Sequence, residues 1–214
     1  KFGIDYKVYH TPGLLMMHSK FLNIVLYKYD DYDVGEVAHF IEEKKPISIN
    51  GPKDALSPLE GILTGNWETT YPPMMSVSKE DFTKCVTRSD NLSFLLTYED
   101  FLEVAELYSK DEEFSSGFET EEKKENWAAN MEEEMEYPHA ACGYRVKHRL
   151  VGVAYLSAAT KESAMVVGVL VDKDWRGGGI GTEIAQEITD IALNDHLIKR
   201  LCLFPSGEEA KHIY

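Results

Sequence analysis

Four glycines, Gly177, Gly178, Gly179 and Gly181, follow Arg176 within the run V-V-G-V-L-V-D-K-D-W-R-G-G-G-I-G-T over residues 166–182. Without Cβ atoms in the way, successive backbone N–H groups can turn toward an anion, and Arg176 adds a planar, permanently charged fork. The chemistry open to such a group of residues is the cradling of phosphate or pyrophosphate at the positive end of a helix.

Two elements must hold the turn in place. Val166, Val167, Val169, Leu170 and Val171 predict a short central strand before it, while Ile180, Ile184, Ile188 and Ile191 recur at helical spacing after it. Spacing then sorts the anion-binding loops that share this layout. A nucleoside-triphosphate loop needs G-x-x-x-x-G-K-[ST], and the turn has no lysine. A dinucleotide fingerprint needs G-x-G-x-x-G, for which Gly177 and Gly179 serve but Thr182 stands in the third place. The pattern R-x-x-G-x-G is filled by Arg176, Gly179 and Gly181. The bland alternative is a tight strand-to-helix connection that binds nothing.

On these residues the chain resembles the GNAT superfamily of acetyl-coenzyme A-dependent N-acetyltransferases, over about residues 91–214. The resemblance implies an α/β fold, with a GNAT-like mixed central sheet flanked by helices. It implies that Val169, Leu170 and Val171 take the pantetheine arm of acetyl-CoA, and that Arg176, Gly177, Gly178, Gly179, Ile180, Gly181 and Thr182 take its pyrophosphate. A second family mark, N-x-x-A-x-x-x-Y, is met by G-E-E-A-K-H-I-Y at residues 207–214. Ala210 and Tyr214 match, Gly207 replaces the asparagine, and Ser206 is a candidate substitute. By resemblance Tyr214 is the general acid beside the thioester sulfur, and the closing strands of the fold lie beyond this sequence.

Direct attack of an amine on a bound thioester asks for positioning first, then a base for one amine proton and an acid for the thiolate. Strand N–H groups can steady the developing charge on the carbonyl oxygen. Many relatives carry a glutamate on the fourth strand as base, but residues 164–171 are wholly apolar here. Glu162, Tyr144 and His148 lie near in sequence, and a water chain stays open as the alternative.

Upstream, the pattern predicts a strand at 92–97, helices at 98–109 and 120–135, a hairpin of 140–146 and 150–158, and a strand at 200–204. Residues 1–90 read as a smaller α/β domain, a degenerate GNAT-like half, with a strand at 21–27, helix 34–43, strand 47–49 and helix 56–63. The domain boundary is expected in the polar segment 87–91, placing the acetyltransferase domain at 91–214.

The formal net charge of −15 argues against a basic nucleic-acid surface. Eleven acidic residues against two lysines between residues 111 and 136 account for nine of those charges. An acidic rim there would gather a cationic primary amine, such as a polyamine, an aminoglycoside or a lysine-rich peptide, unless it is only a solvated helix face. Three cysteines without a CxxC pair suggest a reducing cytoplasm, seven histidines show no ligand spacing, so no metal is expected, and no stretch has the length of a membrane span. An exposed strand edge leaves room for a homodimer. The expected activity is acetyl transfer from acetyl-CoA to an amine in a ternary complex. The alternatives are a non-catalytic acyl-CoA-binding sensor or structural module, and a dinucleotide-dependent enzyme.

Overall fold

The computed structural model describes residues 6–19, 23–85 and 87–205, and the chain divides into two units, Lys1–Tyr71 and Pro72–Tyr214. In the first unit, strands β1 (Tyr6–Thr11), β2 (Leu14–Ser19) and β3 (Asn23–Lys28) pair antiparallel in sequence order. Helix α1 (Val34–Lys44) then carries the chain to β4 (Ser48–Asn50), which pairs parallel with β3. Alternation in β2 and β3 sends Leu14, Met16, Ile24 and Leu26 to one face, where Val37, Ala38 and Ile41 of α1 close over them. Short helix α2 (Lys53–Leu56) and a 3-10 turn at Ser57–Leu59 add Ala55 and Leu59 to that core.

The second unit is built on a six-stranded sheet. Its strands are β5 (Met75–Ser78), β6 (Leu92–Phe94), β7 (Ala141–Val146), β8 (Arg149–Ser157), β9 (Ser163–Val171) and β10 (Arg200–Leu203), in the order β5-β10-β9-β8-β7-β6. Helices α3 (Tyr98–Tyr108) and α4 (Glu121–Glu134) cover one face and α5 (Ile180–Asp190) the other. The sheet is therefore buried on both sides, which is why β8 and β9 read as continuous apolar runs. The two faces of β8 show it: Leu150, Val153 and Tyr155 pack toward α3 and α4, and Val151, Ala154 and Leu156 toward α5, the alternation shifting by one at the irregularity opposite Tyr144 and Arg145. Cys142 lies in the α5 core, where burial pushes its thiol up to about 12. Thr97 and Asp100 form a reciprocal capping box at the start of α3, and Thr120 caps α4.

The two units share a topology. In each, an antiparallel three-strand meander leads through one helix to a fourth strand parallel to the third: β1-β2-β3-α1-β4 in the first, β7-β8-β9-α5-β10 in the second. The helix entrances differ. At α1 the Asp33 side chain accepts from the N–H of Glu36 at 2.9 Å, so the helix brings its own anion. At α5 the N-cap is Gly179, with no side-chain cap.

Two expectations from sequence need correction. The boundary falls at residue 72, not 91, because β5 pairs antiparallel with β10 and because Val77 and Phe82 pack into the α5 core. Residues that follow β5 are also strapped to α5. The Lys84 ammonium reaches Glu187 at 2.9 Å and Asp190 at 2.8 Å, Arg88 reaches Glu187 at 3.0 Å, and the Cys85 N–H donates to Gln186. The helix expected at 56–63 instead starts at Lys53 and is finished by Leu59, since Pro58 suits only a first turn.

The strap gives a test. Glu187 is buried and depends on Lys84 and Arg88 for the charge that water would otherwise solvate, whereas Lys199–Glu162 is an exposed pair. In urea denaturation, Lys84→Ala is expected to cost on the order of 2 kcal/mol and Lys199→Ala below about 0.5 kcal/mol.

Candidate functional site

Strand β9 carries one residue more than its neighbour β8 allows. Val153 faces Leu170 and Tyr155 faces Val167, so Gly168 and Val169 together oppose the single residue Ala154. Gly168, at φ +62°, is the bulged residue, in a region that suits glycine. The insertion inverts the alternation of the strand. Ala164 and Val166 face α5 before it, Val169 and Val171 face α5 after it, and Leu170 turns to α3 and α4.

The bulge coincides with a parting of strands. β10 pairs with β9 only at Ser163, Ala164 and Met165, and among the described residues β9 has no strand partner on that side from Val166 onward. The direction of the freed groups follows from the ladder. Asp172 donates its N–H to the carbonyl of Val151 at 2.8 Å, so Leu170 also points its backbone groups at β8, and those of Val169 and Val171 point to the open edge. Of the three residues expected to offer an edge, Val169 turns both backbone groups to it and Val171 only its N–H, its carbonyl being met by Arg176; Leu170 faces Val153.

The open edge runs into the glycine turn. A 3-10 turn at Lys173–Trp175 is organised by Asp172, whose carboxylate accepts from the Asp174 N–H at 3.0 Å and from Arg149 at 2.6 Å. Gly177 and Gly179 then adopt φ of +80° and +86°, and a Cβ placed on either meets nothing within 4 Å. The turn therefore faces open space. The N–H groups of Ile180, Gly181 and Thr182 in the first helical turn have no preceding helical carbonyl to bond. Uncapped N–H groups beside an open strand edge are what an elongated, amide-bearing ligand with a polyanionic end would fit.

Arg176 is not idle in this arrangement. Its Nε donates to the Val171 carbonyl at 2.9 Å and its Nη2 pairs with Asp111 at 2.8 Å, so it ties the turn to the segment after α3. Tyr214, expected as the acid, lies outside the described residues, as do Ser206, Gly207 and Ala210. The three residues weighed as bases are elsewhere. Glu162 pairs with Lys199 at the far end of β9, the Tyr144 hydroxyl accepts from Asn91 on the α5 face, and His148 sits exposed in the β7–β8 turn.

On the other side of the bulge lies an aromatic cluster that the sequence reading did not single out. Tyr108, Phe114, Phe118, Trp127 and Tyr155 form a chain of ring contacts with centroids 4.5–6.4 Å apart. The signal for it was Gly168 itself, an isolated glycine inside a strand pattern. Beyond the cluster, both lysines of the acidic segment are spent. Lys124 binds Glu106 and Glu121, and Lys123 binds Glu119, so most of the segment's other carboxylates are uncompensated.

Residues 101–214 match the Acetyltransferase (GNAT) family, and the chain belongs to that family. No curated protein matches the chain. Among solved structures, it is similar to a GCN5-related N-acetyltransferase from Kribbella flavida, at 14% identity and a TM-score of 0.67, covering 94% of this chain and 80% of the other. It is also similar to a tandem GNAT protein from the clavulanic acid biosynthesis pathway, at 10% identity and a TM-score of 0.58, covering 94% of this chain and 72% of the other. At these identities the likeness is one of fold: a mixed sheet flanked by helices, preceded by a smaller α/β unit. No helix among the described residues is long and apolar enough to cross a membrane.

Because the space before the turn is open, backbone conformation alone should decide which glycines are needed. Gly179→Ala forces a side chain into the left-handed region and is expected to cost about 1–2 kcal/mol, while Gly178→Ala, without a positive φ, should stay within about 0.5 kcal/mol. Paired urea titrations measure both.

Proposed function

We propose that the C-terminal unit transfers the acetyl group of acetyl-CoA to a primary amine by direct attack in a ternary complex. The observation that carries this reading is the junction of the unpaired Val169–Val171 edge with the uncapped start of α5. Acetyl-CoA, when bound, supplies an activated thioester carbonyl. The Val169 backbone groups and the Val171 N–H orient the amide-bearing arm, and the turn from Arg176 to Thr182 holds the pyrophosphate. The amine nitrogen forms the new bond to the acyl carbon, the carbon–sulfur bond breaks with its electron pair on sulfur, and the proton lost by the amine balances the one the thiolate gains. Tyr214 is the residue proposed to deliver that proton. The uncompensated carboxylates of the α4 segment favour a cationic acceptor.

The same reading makes the N-terminal unit a degenerate copy. Its topology supports this, and the chemistry of its turn argues against a second ligand. Where the C-terminal unit has glycines, the loop before α1 has Asp30, Asp31 and Asp33, with the Asp33 carboxylate already accepting from the Glu36 N–H of the helix. The Tyr29 and Asp30 N–H groups are also taken, both by the Gly13 carbonyl. One acyl-CoA per chain follows.

Calorimetric titration with acetyl-CoA tests both statements. Saturation at one equivalent is expected, with affinity falling at least about tenfold in Arg176→Glu and in Gly179→Trp, that is, by about 1.4 kcal/mol or more. Two equivalents would place a site in the N-terminal unit, and no binding would sink the reading. If acetyl-CoA binds yet no amine in a screen of polyamines, aminoglycosides and lysine peptides releases free thiol, the unit is a non-catalytic acyl-CoA-binding module.

A further inference from the structure

The bulge in β9 is held by a single hydroxyl from outside the sheet. The Tyr108 hydroxyl, at the last turn of α3, donates to the Gly168 carbonyl at 2.6 Å. Tyr108 is 2% exposed and stacks on Phe114 at 4.5 Å with the rings 11° apart, so it has no freedom to point elsewhere. Tyr155 closes the remaining side: a Cβ at Gly168 would overlap both the Tyr108 hydroxyl and the Tyr155 ring. Burial, aided by the neighbouring Tyr155, holds the Tyr108 phenol well above its ordinary range, so it remains a donor at any physiological pH.

That bond fixes more than a carbonyl. The peptide between Gly168 and Val169 is trans and planar, so its C=O and the following N–H point in opposite directions. Pinning the Gly168 oxygen fixes the orientation of that peptide and with it the Val169 N–H, which the β8–β9 ladder places on the side that β10 leaves open. The hydrogen bond also polarises the peptide, which makes that N–H a better donor.

We propose that Tyr108 is a positioning residue for acyl transfer: through Gly168 it aims the Val169 N–H at the carbonyl oxygen of the bound thioester. The inference rests on the acetyl-CoA reading of the site. Tyr108 touches no substrate. Its effect reaches the reacting carbonyl only through one peptide group, which separates it from a residue that merely fills space, because removing the hydroxyl leaves the ring and its stacking in place.

The test is the infrared difference spectrum of acetyl-CoA labelled with carbon-13 at the thioester carbonyl, bound to the full chain. In the native protein the carbonyl band is expected to move to lower frequency than in free acetyl-CoA. In Tyr108→Phe most of that displacement should vanish while affinity for acetyl-CoA changes less than about threefold, and kcat with an amine substrate should fall about 10- to 100-fold. Tyr144→Phe, which removes a buried hydroxyl bonded on the opposite face of the sheet, should leave the band where it is. Should Tyr108→Phe fail to fold, Tyr108→difluorotyrosine keeps the ring and strengthens the donor, and the band should move further down. An unchanged band in either variant overturns the role of Tyr108 alone. Failure of the native protein to bind acetyl-CoA overturns the reading of the site and this inference with it.

Discussion

One inserted residue in β9 governs how the catalytic unit is laid out. Had the strand kept its register past Gly168, its alternation would have carried Leu170 to the α5 face and Val169 and Val171 to the α3–α4 face. The insertion lets the same strand serve two cores, and β10 runs beside it for only three residues. An unpaired edge inside a sheet leaves backbone donors and acceptors without partners, a state that folded chains rarely tolerate unless something else uses them. Here the Val171 carbonyl is met by Arg176, and the Gly168 carbonyl by Tyr108. The Val169 groups are left facing the edge, adjacent to a helix end that no side chain caps.

The N-terminal unit shows what the same topology becomes when that helix end is closed. Both units cross from a third to a fourth strand through one helix, yet one helix begins with an aspartate and the other with a glycine. An aspartate cap stabilises a helix by about 1 kcal/mol relative to alanine and occupies, through Glu36, an N–H that an external anion would use. A glycine cap forgoes only a few tenths of a kcal/mol relative to aspartate and leaves the first N–H groups of the helix open to an external acceptor. The contrast between Asp33 and Gly179 is therefore a contrast between a helix capped by its own side chain and one that no side chain caps.

What the sequence disclosed follows from how local each signal is. The β9 strand, the glycine turn and α5 form one continuous segment, so their order was legible from residues 166–191 alone. Helices α3 and α4 were equally legible, because their caps and apolar spacing are contained within them. The strands β1, β2 and β5 were not. β1 mixes Lys7 and His10 with Val8 and Tyr9, and β5 is four residues long beside Pro72 and Pro73, so each acquires its identity only from a distant partner. The boundary at residue 72 was hidden for the same reason: β5 meets β10, more than a hundred residues later, and nothing local in either announces the pairing. The glycine turn was legible as a turn, whereas Tyr108 and Tyr155 were not, since the carbonyl that the Tyr108 hydroxyl meets and the glycine that the Tyr155 ring covers lie across the fold.

The end of α3 binds these features into one mechanical unit. Tyr108 and Asp111 are three residues apart, one turn of chain, and each reaches a different end of the same strand segment: Tyr108 the bulge at Gly168, Asp111 the guanidinium that holds Val171 and the glycine turn. Neither contact is part of the sheet's own ladder. Together they make the spacing between bulge and turn depend on a helix packed on the opposite face from α5, and that helix is itself fixed to the hairpin by Arg145 bonding to Asp100 and Glu103. A ligand drawn to the turn would meet an arginine already paired, with a carboxylate beside it. The backbone N–H groups would then supply most of the attraction for an anion, while Arg176, bonded to Val171 and Asp111, holds the turn's geometry.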